Sequence, residues 1–359
     1  MQKNEYEEKC MRSGAIGSIW GLIVGDALGV PVEFCSREEL KEQPVTDMRG
    51  YGTHYQPIGT WSDDSSMMLC TFHSLCGGLD YSDIMEHFSR WYFDAEFTPH
   101  GSVFDSGAAT ARAMNKYRDG VRIRDCGGRG EHDNGNGSLM RILPIALYQY
   151  FRCNQFAYND RPLLINPIHA VSALTHANAV SMIGCGLFSN LLADALNQRC
   201  GFWDCNWPVQ QWNDYSYNGY GNLYGDHDYR QALGRYDRLR DLKQFACLSE
   251  NEIRSSGYVV STLEAAVWCL LNTSSFEECV LKAVNLGEDT DTVGAVAGSL
   301  AGAKYGIEGI PRKWLTCLAR YEWIESLIER FMDTCADGKK GPLPDEEKRF
   351  TEEYGWSWI

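Results

Sequence analysis

Apolar positions recur every three to four residues along most of this chain. That is the period of an α-helix burying one face. It predicts helices at 13–29, 65–76, 82–94, 106–118, 138–151, 168–176, 178–197, 229–243, 258–272, 275–285, 291–305 and 319–335. No series of alternating β-branched runs competes with them, which argues against a sheet-based fold. The expectation is an all-α single domain. Two stretches break the period. Residues 200–228 crowd Trp203, Trp207, Trp212, Tyr215, Tyr217, Tyr220 and Tyr224 among Asn and Gly. A disordered linker would lack such rings. The stretch reads as ordered, either a packed loop between helices or a lid or partner contact. Residues 338–359 run from Gly-Lys-Lys-Gly-Pro through an acidic segment to Trp356 and Trp358, a tail expected to dock on the body through its tryptophans.

Glycine recurs every four residues in two places. Gly17, Gly21, Gly25 and Gly29 form one ladder; Gly294, Gly298, Gly302 and Gly306 form the other. Spacing of four puts each set on one helix face. Glycine inside a helix costs roughly 1 kcal/mol relative to alanine. Close approach of two backbones would offset that, so the ladders are expected to face each other or another central helix. Asp26 and Glu33 lie by the first ladder, and Asp289 and Asp291 precede the second. Packing these helices together would gather distant acids into one cleft.

Composition narrows the class. With 359 residues and 44% hydrophobic content the chain can bury a large core. A net charge of −15 and the lack of any basic run argue against nucleic acid. No signal pattern and no apolar stretch long enough to span a bilayer is evident, so no membrane partner is expected. The 14 cysteines show no CxxC spacing and fall largely in apolar periodic segments, as free thiols in a reducing cytoplasm would.

Two acidic clusters carry the chemistry. Gly59-Thr60-Trp61-Ser62-Asp63-Asp64-Ser65 and Gly287-Glu288-Asp289-Thr290-Asp291-Thr292 each set two carboxylates and a hydroxyl at a predicted helix start. Hard oxygen donors with no interleaved His or Cys suit Mg²⁺, Mn²⁺ or Ca²⁺, and four carboxylates suit two ions. Simple N-capping would also place such residues there. A third segment, Asp133-Asn134-Gly135-Asn136-Gly137-Ser138-Leu139-Met140-Arg141, is glycine-rich and precedes an apolar helix, where backbone amides can receive phosphate. Thr175-His176 lies between two helices.

Gly25-Asp26-Ala27-Leu28-Gly29 with Glu33, Trp61-Ser62-Asp63-Asp64, the 135–141 segment, Thr175-His176 and the 287–294 segment occur in this order. From about residue 13 to 335 the chain resembles the ADP-ribosylglycohydrolase family. The resemblance implies an orthogonal all-α bundle over 1–337, with 338–359 as the tail. It implies two Mg²⁺ or Mn²⁺ ions held by Ser62, Asp63, Asp64, Asp289, Asp291 and Thr292. Asp105 and Glu33 resemble the family's acid/base carboxylates. Asn136, Gly137 and Ser138 resemble its diphosphate and ribose contacts. His176 resembles a residue near the distal ribose, and Tyr258 one that stacks on adenine. The implied activity is removal of ADP-ribose from modified protein side chains, arginine first. An ADP-ribosylating toxin is a candidate partner of an antidote enzyme. A non-catalytic, crystallin-like relative is the alternative. Two departures stand out: Ser62 where Thr is common, and Glu288 where Gly is usual.

Overall fold

The computed structural model describes residues 2–152, 161–200 and 227–337. Their regular elements are helices, and the only strand-like pairings among the described residues are three isolated bridges. The helical periodicity therefore translated into an all-α fold. The aromatic excursion, but for its first and last two residues, and the tryptophan tail lie outside the described residues.

The chain opens with α1 (Gln2–Gly29) and the short α2 (Arg37–Glu42). Next come α3 (Asp63–Leu75), α4 (Tyr81–Asp94), α5 (Ala108–Arg118), α6 (Ile123–Cys126) and α7 (Leu143–Arg152). Then follow α8 (Arg161–Ala173), α9 (Ala179–Arg199), α10 (His227–Gly234) and α11 (Leu242–Ala246). The last five are α12 (Val259–Leu271), α13 (Phe276–Val284), α14 (Thr290–Tyr305), α15 (Arg312–Thr316) and α16 (Tyr321–Asp337). Helices α2, α6 and α15 went unforeseen because four to six residues are too few to display a face. The helix expected at 229–243 is broken by a 3₁₀ turn at Asp237–Arg240, after which the Asp241 carboxylate caps α11 through the amides of Lys243 and Gln244. The helix expected from 138 starts only at Leu143, since Asn136–Ser138 forms its own 3₁₀ turn.

Helices α1 and α14 form the antiparallel centre, with α9, α12 and α13 packed on α14 and α3 joining α1 to α4, α7 and α16. The ladders do face each other. A β-carbon on Gly17, Gly21 or Gly25 would overlap the carbonyl oxygen of Gly302, Gly298 or Gly294, and the reverse holds for each pair. A helix at the centre of a core is apolar on most sides. This corrects one expectation: Tyr6–Val32 and Ala179–Arg199 do have the length and apolarity of membrane spans. Their apolar windows are 94% and 89% buried, because central helices are apolar all round.

The connecting loops are clipped to this frame. Trp61 is wholly buried and its indole Nε1 donates to Ala319 O at 3.0 Å, while Ala319 N donates to Gly59 O. The Arg37 guanidinium reaches across to Leu286 O, Glu250 O and Ile253 O at 2.8, 2.6 and 2.8 Å. Both acidic clusters are thereby held at the same end of the α1–α14 pair.

Candidate functional site

The first cluster is built on Asp26. This carboxylate is fully buried in α1 and accepts from Ser62 N at 2.9 Å, Ser65 N at 3.0 Å and Ser65 Oγ at 2.5 Å. Burial pushes it up to about 6 despite those donors. Asp26 thus anchors the first turn of α3, and Ser62 completes the cap by accepting from Asp64 N at 3.3 Å. Capping accounts for Ser62, but not for Asp63 and Asp64, both of which are buried in the same turn. Asp64 Oδ2 lies 3.2 Å from Ser62 Oγ and 3.3 Å from Thr292 Oγ1, so the two clusters touch.

The second cluster makes the contrast sharper. Asp289 occupies the N-cap position of α14 but makes no capping bond. Its Oδ2 instead accepts from Asn136 Nδ2 at 2.9 Å, which brings in the glycine-rich segment. Asp291 is buried in the first turn, where its Oδ1 accepts from Thr292 N at 2.8 Å. Thr290 Oγ1 donates to Gly29 O at 2.8 Å and pins this turn to the end of α1.

Glu33 closes the cluster. Its carboxylate offers an oxygen within 4.8 Å of Asp289 and Asp291, and within the same reach of His54 and Asp105. His54 Nε2 bonds Glu33 Oε2 directly. Burial raises Glu33 to about 7, with Asp105 and Asp289 adding to the rise and His54 opposing it. His54 is raised in turn, first by that bond. Asp105 is raised by burial. Burial and mutual repulsion lift Asp63, Asp64 and Asp291 well above the ordinary carboxylate range. Two buried oxygens, Asp64 Oδ1 and Asp289 Oδ1, have no hydrogen-bond partner. Among the described residues no lysine or arginine pairs with any of these acids. Converging, orphaned carboxylates without a countercharge are a donor set that fits hard divalent cations.

The remaining candidates lie beside Asp289. The turn at Asn136–Ser138 is paired to Gly257 and Tyr258: Asn136 N donates to Gly257 O at 3.0 Å, and Gly135 bridges Tyr258. His176 presents its ring edge to Gly137, where a β-carbon would come within 2.9 Å of Cε1. Tyr258 precedes α12, stands 36% exposed and lines a groove of about 760 Å³ with Glu131, Val180, Tyr229 and Arg235 among others. The Ser138 hydroxyl is not brought to the site. It is buried against Ser172 Oγ at 2.9 Å and Cys185 Sγ at 3.5 Å, leaving only its backbone for a ligand. Phosphate binding at the start of a long helix also loses its basis here, because α7 begins beyond the turn.

Sequence reasoning missed His54 and the anchoring role of Asp26. His54 lies in a short aromatic loop, Tyr51-Gly52-Thr53-His54-Tyr55, with no spacing that ties it to Glu33. Asp26 was visible beside the ladder, but nothing signalled that it would cap another helix.

The ADP-ribosylglycohydrolase family model matches residues 8–340. An ADP-ribosylarginine hydrolase of Serratia proteamaculans (strain 568) is 32% identical over 323 residues, covering 88% of this chain and 78% of that protein. The ADP-ribosyl-dinitrogen reductase glycohydrolase of Rhodospirillum rubrum is 30% identical over 321 residues, covering 85% of this chain and 90% of that protein. A solved ADP-ribosylglycohydrolase-related protein complex aligns with a TM-score of 0.67 at 31% identity, over 91% of this chain and 99% of that one. With an all-α fold, a buried acidic centre and a match along nearly its whole length, this chain belongs to the ADP-ribosylglycohydrolase family.

Proposed function

We propose that this chain hydrolyses the bond between ADP-ribose and a modified protein side chain, with arginine the preferred acceptor. The observation that carries the reading is the meeting of carboxylates from the starts of α3 and α14, two of them with a buried oxygen that lacks a hydrogen-bond partner, next to the Asn136 turn and the Tyr258 groove. Arginine preference is supported by the similarity to the ADP-ribosylarginine hydrolase. Ser62, Asp63, Asp64, Asp289, Asp291 and Thr292 would hold two Mg²⁺ or Mn²⁺ ions. Bound there, the ions would supply Lewis-acid charge to ribose hydroxyls and to a water.

The chain's own groups account for the proton. Water adds at C1″ of the distal ribose, the C–N bond breaks, and the departing guanidine nitrogen gains a proton. Glu33, whose carboxyl burial pushes up to about 7, is suited to take or give that proton. His54 fixes the Glu33 carboxylate, and Asp105, with an oxygen within 4.8 Å of both, is the second candidate. Backbone amides of the 135–138 turn other than that of Asn136, which Gly257 O holds, would receive the diphosphate without any basic patch. The exposed ring of Tyr258 would stack on adenine at the groove.

An enzyme of this kind would protect its host against an ADP-ribosylating toxin, with the modified target as its partner. We propose a cytoplasmic location, a reading that the free state of all the described cysteines supports. Incubation with arginine-, serine- and DNA-linked ADP-ribose tests the reading. Release from arginine is expected. Release from serine alone would reassign the acceptor, and no release with metal present would overturn the enzyme assignment.

A further inference from the structure

Behind the Asn136–Ser138 turn runs a buried polar chain that packing alone does not require. Arg141 is fully buried. Among the described residues it has no carboxylate partner. Its Nη1 donates to Val171 O at 3.2 Å and its Nη2 to Thr175 Oγ1 at 2.7 Å, while its Nε has no partner. The guanidinium carbon stands 4.5 Å from the centre of the Phe88 ring. An apolar side chain would fill that space without desolvating a charge, and burying an ion without an opposite charge is expensive. The cation is therefore better explained by what it touches.

Thr175 Oγ1 lies 2.8 Å from Nδ1 of His176 as well. A guanidinium carries only donors, so Oγ1 accepts from Arg141. The hydroxyl hydrogen then has one partner, Nδ1 of His176. A protonated Nδ1 would make Oγ1 accept twice and leave its own hydrogen buried without a partner, so the satisfied arrangement has Nδ1 bare and the ring hydrogen on Nε2. The His176 backbone is clamped too: its amide donates to Ser172 O at 2.9 Å and its carbonyl accepts from Ser172 Oγ at 3.1 Å. Burial, then the Arg141 charge, holds the imidazole down to about 3, so it stays neutral at physiological pH. Nε2 makes no hydrogen bond among the described residues. It faces Gly137, where a β-carbon would lie 3.3 Å away, and Gly135, where one would lie 3.7 Å away.

We propose that Arg141 and Thr175 are positioning residues that fix His176 as a neutral Nε2–H donor, aimed across the 135–137 turn at an oxygen of the bound ADP-ribose. The ligand's identity rests on the glycohydrolase reading; the tautomer does not. Relative to a protonated imidazole, such a donor gives a directional hydrogen bond without adding a cation beside the metal-binding acids.

Nitrogen-15 spectra of the imidazoles, with the His176 signals assigned by their loss in His176→Gln, read the tautomer directly. In the wild type Nδ1 should be bare and Nε2 protonated. Thr175→Val keeps the shape and removes the hydroxyl; it should yield mixed tautomers and weaken ADP-ribose by about tenfold, the scale of one hydrogen bond. Thr175→Ser should restore both. A wild-type proton on Nδ1 would overturn the proposal even if Thr175→Val fails to fold. So would a folded Thr175→Val with unchanged tautomer and affinity. A wild type that keeps Nε2–H yet binds no ADP-ribose would retain the relay and remove the glycohydrolase reading instead.

Discussion

The amide of Phe34 donates to the carbonyl of Glu288 at 2.7 Å, and both residues have left-handed backbone, φ 66° and 62°. The bond is reciprocated one residue on, where Glu288 N donates to Cys35 O at 2.8 Å. Glu33 precedes Phe34 and Asp289 follows Glu288. The clip therefore sets the spacing between two acids that come from opposite ends of the chain. Position 288 therefore demands a positive φ, which glycine adopts without strain.

Glu288→Gly should consequently stabilise the protein. A left-handed non-glycine residue costs roughly 1–2 kcal/mol, of which glycine returns about half through its freer unfolded chain. The exposed carboxylate makes no ion pair among the described residues that would be lost. Thermal melts should show Tm higher by roughly 1–3 °C, whereas Glu288→Val should lower it. A lower Tm for the glycine variant would mean that the glutamate side chain itself holds the clip.

Asp291→Asn separates metal binding from capping. Asparagine caps a helix about as well as aspartate. We expect a loss of at least about a hundredfold in activity, the scale on which removing a transition-state charge contact acts, with the far-ultraviolet helical signal unchanged. Native mass spectrometry should find two divalent ions on the wild type and fewer on the variant. Full activity in the variant would reduce Asp291 to a structural residue.

The glycine ladders predict intolerance to the smallest possible change. Gly21→Ala and Gly298→Ala each set a methyl group onto the opposite carbonyl. Overpacking of this type costs about 1–3 kcal/mol, more where backbone must shift. Denaturant midpoints should fall for both, and Gly21→Leu should not fold. An exposed glycine would behave oppositely, since alanine raises helix propensity by about 1 kcal/mol.

The raised acids predict a pH dependence with a definite sign. Asp26 rises from 3.8 to about 6 and Glu33 from 4.5 to about 7 on folding. Between about pH 4 and 7 the folded chain thus holds more protons than the unfolded one, and stability falls as pH rises. In chelator the Tm should drop across this window. Saturating Mg²⁺ should flatten or reverse the drop, because the ions supply the missing positive charge. Identical profiles with and without metal would remove the cations from the cluster.

Periodicity located helices such as α4 and α16, where one apolar face repeats over three or more turns. The ladders announced a close backbone neighbour, since several glycines on one face only forfeit helix propensity unless a second backbone lies against them, but left open whether that neighbour was the other ladder. The acids of the site were legible because each cluster spends more carboxylates than a cap can use. His54 was not legible: its partner lies 21 residues away across a turn whose geometry depends on left-handed residues at Tyr51 and Tyr55. The inward turn of Ser138 was hidden for a related reason. A 3₁₀ turn and a helix start look alike in sequence, yet they aim the third residue differently.

The pairing of α1 with α14 has a kinetic consequence. The first helix of the chain must wait for one of the last before its most intimate contacts can form. Contacts so distant in sequence slow folding, because the chain entropy of closing the loop is lost before the contact forms. During synthesis the glycine face of α1 leaves the ribosome with nothing to lie against. Asp26 and Glu33 likewise wait for Asp289 and Asp291. A nascent or truncated chain that lacks α14 therefore holds no half-working centre. Catalytic competence should switch on late and all at once, when the C-terminal helices dock.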